Sequence, residues 1–180
     1  MIQHIHAPAI EKEIINLKAG DIVQLSGTII TGRDAAHERL VNMVNRGENL
    51  PILLKNEIIY YTGPCPAKPG QVIGPCGPTT SSRMDTYAPR LLDLGLKGMI
   101  GKGERSEGVI ESIIKNKAVY FAATGGAGAL ITTCIKKAQV IAFADLGPEA
   151  IYRLEVEKFP LIVAIDAQGN SLYNFKNTIK

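Results

Sequence analysis

The chain reads as an α/β protein built on a mixed sheet with packed helices. Short apolar runs of strand length alternate with segments whose apolar residues recur every three to four positions. Glycines gather at the corners that follow those runs, where tight turns and close backbone approach are needed. Nearly half of the 180 residues are apolar and 21% are charged, the balance of an ordinary globular chain with enough length for a real core.

The first strand is expected over residues 21–30, DIVQLSGTII, with apolar side chains at 23, 25, 29 and 30. The turn Thr31-Gly32-Arg33-Asp34 follows, and Thr31 and Asp34 have capping-box spacing. A helix over 34–46 places Ala36, Leu40, Val41 and Val44 on one face and stops at Gly47. Residues 57–61, EIIYY, form the next strand, and the prolines and glycines of 63–70 mark a loop. A short strand over 71–74 leads into GPTTSSRMD, residues 77–85, which opens a helix that Pro89 kinks or splits. Strand 97–100 ends at Gly101-Lys102-Gly103. A helix over 106–116 is capped by Ser106. Strand 118–123 runs into Gly125-Gly126-Ala127-Gly128, a helix over about 127–135 and a strand over 139–144. The buried strand PLIVAI, 160–165, turns at 166–169 into a last short strand on an antiparallel edge.

Charge and cysteine usage narrow the function classes. A formal charge of +3, with no stripe of Lys and Arg among aromatics, argues against a nucleic-acid footprint. No apolar run is long enough to span a membrane, and the start, MIQHIHAPAIEKEI, has no basic block followed by an apolar one. A cytoplasmic location is the default expectation. Cys65, Cys76 and Cys134 match no zinc spacing and no redox pair, and are expected as reduced thiols.

The densest chemistry lies in GPTTSSRMD and, thirteen residues on, GMIGKG, residues 98–103. Thr79, Thr80, Ser81 and Ser82 are candidate caps for a helix start, whose free amides and dipole suit a small anion. Arg83 adds a planar cationic fork; a cation at a helix start opposes the dipole and costs stability unless an anion binds. Arg33, behind a glycine turn, is either a carboxylate clamp or a surface arginine pairing with Asp34 or Glu38. Asp34 is a first-turn acid or a catalytic one. His37, one turn into the helix, has a titration range suited to proton transfer but no partner assigned by spacing. Thr79 needs an activating neighbour to act as a base, and Lys102 would serve if adjacent. Lys102 itself is a ligand-facing lysine or a solvated turn residue.

With Thr31-Gly32-Arg33-Asp34, GPTTSSRMD, GMIGKG and ATGGAGA in hand, the chain resembles the iron–sulfur (class I) fumarases. The likeness is to their C-terminal domain, which is also the β subunit of two-subunit fumarases and L(+)-tartrate dehydratases. It covers residues 10 to 175, and residues 1–180 are expected to form one such domain. The resemblance implies a swivelling β/β/α fold and reversible addition of water to an unsaturated dicarboxylate, with fumarate, malate or tartrate as substrate. It implies a [4Fe–4S] cluster held by cysteines of an iron–sulfur α subunit rather than by this chain, with an iron position that takes the hydroxyl. Carried over by position, Arg33, Arg83 and Lys102 bind substrate carboxylates, and Thr79 is the candidate proton acceptor. Asp34 and His37 match the surrounding pattern.

A second reading is a stand-alone nucleotide- or anion-binding module. It rests on the turn Gly125–Gly128 and on Asp145 at the end of the following strand, as in a dinucleotide fingerprint. The third glycine position of that fingerprint holds Ile131.

Overall fold

The computed structural model describes residues 1–9, 11–123 and 128–177. In chain order they form β1 (Ile2–Ala7), α1 (Glu11–Ile14), β2 (Ile22–Thr31), α2 (Asp34–Asn45), β3 (Ile58–Tyr60), a 3-10 turn (Ser81–Met84) and α3 (Ala88–Asp93). Then follow β4 (Gly98–Gly101), α4 (Glu107–Asn116), β5 (Val119–Ala122), α5 (Gly128–Cys134), β6 (Ile135–Ala142), a 3-10 turn (Ala144–Glu149), β7 (Ile151–Ile165) and a last 3-10 turn (Leu172–Asn177).

Strands β1 to β5 are parallel to their neighbours in the order given, while β7 runs antiparallel to β2, β5 and β6. Because β7 pairs with both β2 and β5, the pairings β2–β3–β4–β5–β7–β2 close into a ring. Ring strands bury both faces, which is why EIIYY and AVYFAA read as continuous apolar runs rather than alternating ones. Side-chain alternation then sorts them. Ile58, Tyr60, Ile100, Val119 and Phe121 point into the ring, where they meet Leu154, Phe159 and Val163 of β7. Ile59, Tyr61, Met99 and Tyr120 point outward and are covered by Leu40 of α2, Leu91 and Leu92 of α3, and Val109 and Ile113 of α4.

Several expectations hold in detail. Helix α2 ends as expected, with Gly47 at φ +70 just beyond it. Ser106 caps α4, its hydroxyl accepting from Val109 N. Pro89 sits in the first turn of α3, so the segment is split there, where a missing amide costs nothing.

Others are corrected. Strand β1 was not anticipated. Thr31 does not cap α2: its hydroxyl faces β7, accepting from Tyr152 N at 3.0 Å. Residues 71–74 form no strand; Gly74 and Cys65 instead exchange loop hydrogen bonds with Cys65 and Pro75 carbonyls. β6 begins at residue 135, immediately after α5, rather than at 139. The run 160–165 is only the end of a 15-residue strand whose first part, IYRLEVEKF, is masked in sequence by its outward charges. The terminal hairpin shrinks to a single bridge between Ile165 and Ser171, and the antiparallel edge is β6.

Candidate functional site

The parallel strands of the ring all point their carboxyl ends to one edge. In sheets of this kind ligands bind outside the carboxyl ends of the strands. Arg33 and Asp34 follow β2, Thr62 and Gly63 follow β3, and Lys102 follows β4. Glu149, from the turn before antiparallel β7, reaches the same edge.

Two guanidiniums converge there on one carboxylate. Arg83 Nε donates to Asp34 Oδ1 at 2.9 Å. Arg33 Nε lies 3.6 Å from Asp34 Oδ2 and 3.7 Å from Glu149 Oε1. Both latter distances are too long for hydrogen bonds. Arg33 Nε and Asp34 Oδ2 are therefore buried atoms without a hydrogen-bond partner, a condition that native interiors avoid. Glu149 Oε1 is used instead by the Ala35 amide at 3.3 Å, in the first turn of α2. Arg33 and Arg83 thus share Asp34, and Arg33 also faces Glu149.

The loop carrying Thr79 is strung between the ends of β3 and β4. Tyr60 OH donates to the Cys76 carbonyl at 2.6 Å, and Thr62 Oγ1 to the Gly77 carbonyl at 2.8 Å. Thr79 N donates to the Tyr61 carbonyl at 2.7 Å, and Ser81 N to the Lys102 carbonyl at 2.9 Å. Thr80 and Lys102 form an isolated parallel bridge, which puts Lys102 one residue's register from Thr79. The glycines around Lys102 do different jobs. A Cβ on Gly101 would collide with Ser81 Oγ, so this glycine permits close approach; Gly103, at φ +83, permits the turn.

The structure changes the argument from the helix start. Residues 81–84 make one 3-10 turn, and no hydroxyl side chain caps it. Arg83 lies in its last turn, where a cation is not opposed by the dipole. What balances Arg83 is Asp34, 49 residues earlier in the chain. The sequence contains both residues but not their meeting.

His37 is fully buried beneath this edge. Its Nδ1 is 2.8 Å from the Arg33 carbonyl, which can only accept, so Nδ1 carries the proton and Nε2 is left as a buried acceptor without a partner. The ring lies edge-on to Tyr61, with centroids 5.3 Å apart. Burial pushes its pKa down to about 4. A neutral, enclosed imidazole of this kind positions Arg33 through its backbone and has no open face toward a ligand.

Sequence reasoning missed Arg105, Asp85, Glu149 and Tyr120. Arg105 is buried, with Nε donating to Asp85 Oδ1 at 2.7 Å. Asp85 closes GPTTSSRMD and Arg105 lies two residues past GMIGKG, so the paired motifs themselves were the available signal.

Away from this edge, two cavities of about 750 and 530 Å3 are lined respectively by residues such as Ala19, Asp166 and Asn170, and by Arg39, Asn42 and Met43. Asp145 gives both carboxylate oxygens to Arg39, each at 2.8 Å, so it is engaged where the nucleotide reading needs it free. Gly125 and Gly126 of that reading lie outside the described residues. Among the described residues no three His, Cys, Asp or Glu side chains are grouped to hold a metal, and no helix is long and apolar enough to cross a membrane.

A mixed α/β ring with cations gathered at the carboxyl ends of its parallel strands is the class these features define. Residues 2–176 match the profile of the fumarase C-terminus family, and the chain belongs to that family. It is 40% identical over 173 residues to a Methanocaldococcus jannaschii protein provisionally named L(+)-tartrate dehydratase subunit beta, covering 93% of this chain and 89% of that one. It is 39% identical over 153 residues to the aerobic class I fumarate hydratase of Salmonella typhimurium, covering 84% of this chain and 26% of that one. It is 35% identical over 167 residues to fumarate hydratase 2 of Leishmania major, covering 92% of this chain and 29% of that one. The chain therefore spans under a third of these two fumarate hydratases and most of the tartrate dehydratase subunit.

Proposed function

We propose that this chain is the β subunit of a two-subunit iron–sulfur hydro-lyase, acting as one fumarase C-terminal-type unit. The reaction is reversible hydration of fumarate to malate, or dehydration of tartrate. The observation that carries the reading is the shared carboxylate: Arg33 and Arg83 already face Asp34, so the pair is arranged for a carboxylate. Arg83 and Asp34 are half and one-third exposed, and an ion pair so wet is worth about 0–1 kcal/mol. A substrate carboxylate can take over such a contact at little cost, and bidentate arginines then fix its orientation.

In this reading Arg33, Arg83 and Lys102 hold the dicarboxylate. The Thr79 oxygen, having lost its own proton to solvent, takes the proton from the carbon beside a carboxylate and returns to the neutral hydroxyl. The cations on the carboxylate stabilise the charge that builds as the proton leaves. Asp34 is the counter-ion that keeps both guanidiniums aimed before substrate arrives, and His37 fixes the first turn of α2 through the Arg33 carbonyl.

The iron–sulfur cluster belongs to the partner α subunit. The described residues of this chain do not fit it: Cys65 is exposed, while Cys76 is buried with its sulfur 3.9 Å from Thr132 Oγ1. The test is anaerobic purification of the chain alone and with a cysteine-bearing partner. Hydration of fumarate or dehydration of tartrate is expected only from the complex. No complex and no turnover of either substrate would remove the proposal.

A further inference from the structure

We infer that Arg105 is a positioning residue: it locks the loop carrying Thr79 and Arg83 to the loop carrying Lys102. The consequence for substrate binding rests on the function proposed above; the lock itself rests on geometry. The guanidinium is wholly enclosed, and each of its nitrogens meets a different segment of the edge. Nε donates to Asp85 Oδ1 at 2.7 Å, directly behind the turn that presents Arg83. Nη2 donates to Tyr61 OH at 3.2 Å, and the Tyr61 carbonyl holds the Thr79 amide. Nη1 lies 3.5 Å from Met99 Sδ, on the strand that runs out to Lys102. The guanidinium carbon sits over the rings of Tyr61 and Tyr120, at 5.3 and 4.9 Å.

The second tier repeats the link. The Tyr120 hydroxyl is 2.9 Å from Ser81 Oγ and 2.8 Å from the Gly103 carbonyl oxygen. A carbonyl only accepts, so the phenol proton goes to Gly103 and the serine hydroxyl supplies the other proton. Asp85 Oδ2 meanwhile accepts from Ser106 N at 2.7 Å, tying the end of GPTTSSRMD to the start of α4. One cation thus bridges residues 61, 85 and 99, and its stacked partner bridges 81 and 103. A buried ion pair is a poor source of stability compared with apolar residues of equal volume. A planar fork held over two rings is a good source of fixed geometry, and lysine cannot reproduce it.

Amide exchange tests this directly. The reporters are the Thr79 and Ser81 amides, which cross between the loops, against Val23 and Leu25 in the ring. Arg105→Met is expected to speed exchange at Thr79 and Ser81 by about tenfold or more while Val23 and Leu25 keep their protection. Arg105→Lys, which retains the charge, is expected to give the same pattern and serves alone if Arg105→Met does not fold. Ile29→Val, a core change of ordinary kind, should leave the two loop amides protected. Equal acceleration at loop and ring amides, or none at the loop, would overturn the inference. Fumarate or tartrate turnover by the wild-type complex judges the proposed function separately. Its absence alongside loop-selective exchange removes that function and leaves the lock; its presence alongside uniform exchange does the reverse.

Discussion

Arg83 and His37 show how differently two nearby residues respond to their setting. Arg83 is half exposed, so replacing it by alanine should move stability by no more than about 1 kcal/mol. A charged hydrogen bond to a ligand is worth roughly 1.5–3 kcal/mol, so on the function proposed above the same change should weaken dicarboxylate use by about tenfold to a hundredfold. Steady-state kinetics of the assembled complex would show a raised KM and a lowered rate together. His37 is the opposite case. It is neutral in the folded chain down to about pH 4, whereas in the unfolded chain it binds its proton near 6.5. Between those values the unfolded state binds more protons, so its contribution to stability is present above pH 6.5 and lost as the pH falls toward 4. The loss amounts to about 3 kcal/mol at most, and His37→Gln should remove that component from urea unfolding curves measured across this range. The residue types at these positions were legible in the sequence. Their partners were not, because a contact between residues 34 and 83 depends on which strand ends share an edge.

At the level of elements, the site depends on the end of β4 and the 3-10 turn at Ser81 approaching more closely than side chains normally allow. Gly101→Ala would drive a Cβ into Ser81 Oγ and lift the Thr79 loop from β4. Overpacking of this kind costs about 1–3 kcal/mol, and the loss of ligand affinity should exceed what the fall in Tm implies. Ser106→Ala is a contrasting change, since it removes the α4 cap for about 1 kcal/mol. Thermal unfolding should register it, while KM should not, because Ser106 reaches Asp85 through its backbone amide. The cap and the Pro89 break were readable from sequence because both act within a few residues. The strand expected over 71–74 was not formed, because prolines and glycines on both sides hold that segment to its own loop.

For the molecule as a whole, β7 decides whether the edge exists. It pairs with β2, β5 and β6, and Phe159 meets Tyr60 edge-on with centroids 5.3 Å apart. Tyr60 in turn holds the loop before Thr79 through the Cys76 carbonyl. Phe159→Ala should therefore cost about 3–5 kcal/mol, measured by denaturant unfolding, and should loosen the site although it lies in the ring's interior.

By itself the sequence determined the α/β class, the helices α2 and α4 with their ends, and the two motifs that carry Arg83 and Lys102. Those features rest on local periodicity, capping and turn chemistry, which a short window contains. Only the tertiary structure decided that β7 runs for 15 residues and closes the ring, and that Asp34 answers both arginines. It also decided that His37 is shut away and that Arg105 lies beneath the loops. These depend on pairings between distant segments, and the energy of such pairings lies in burial and register that no local window displays.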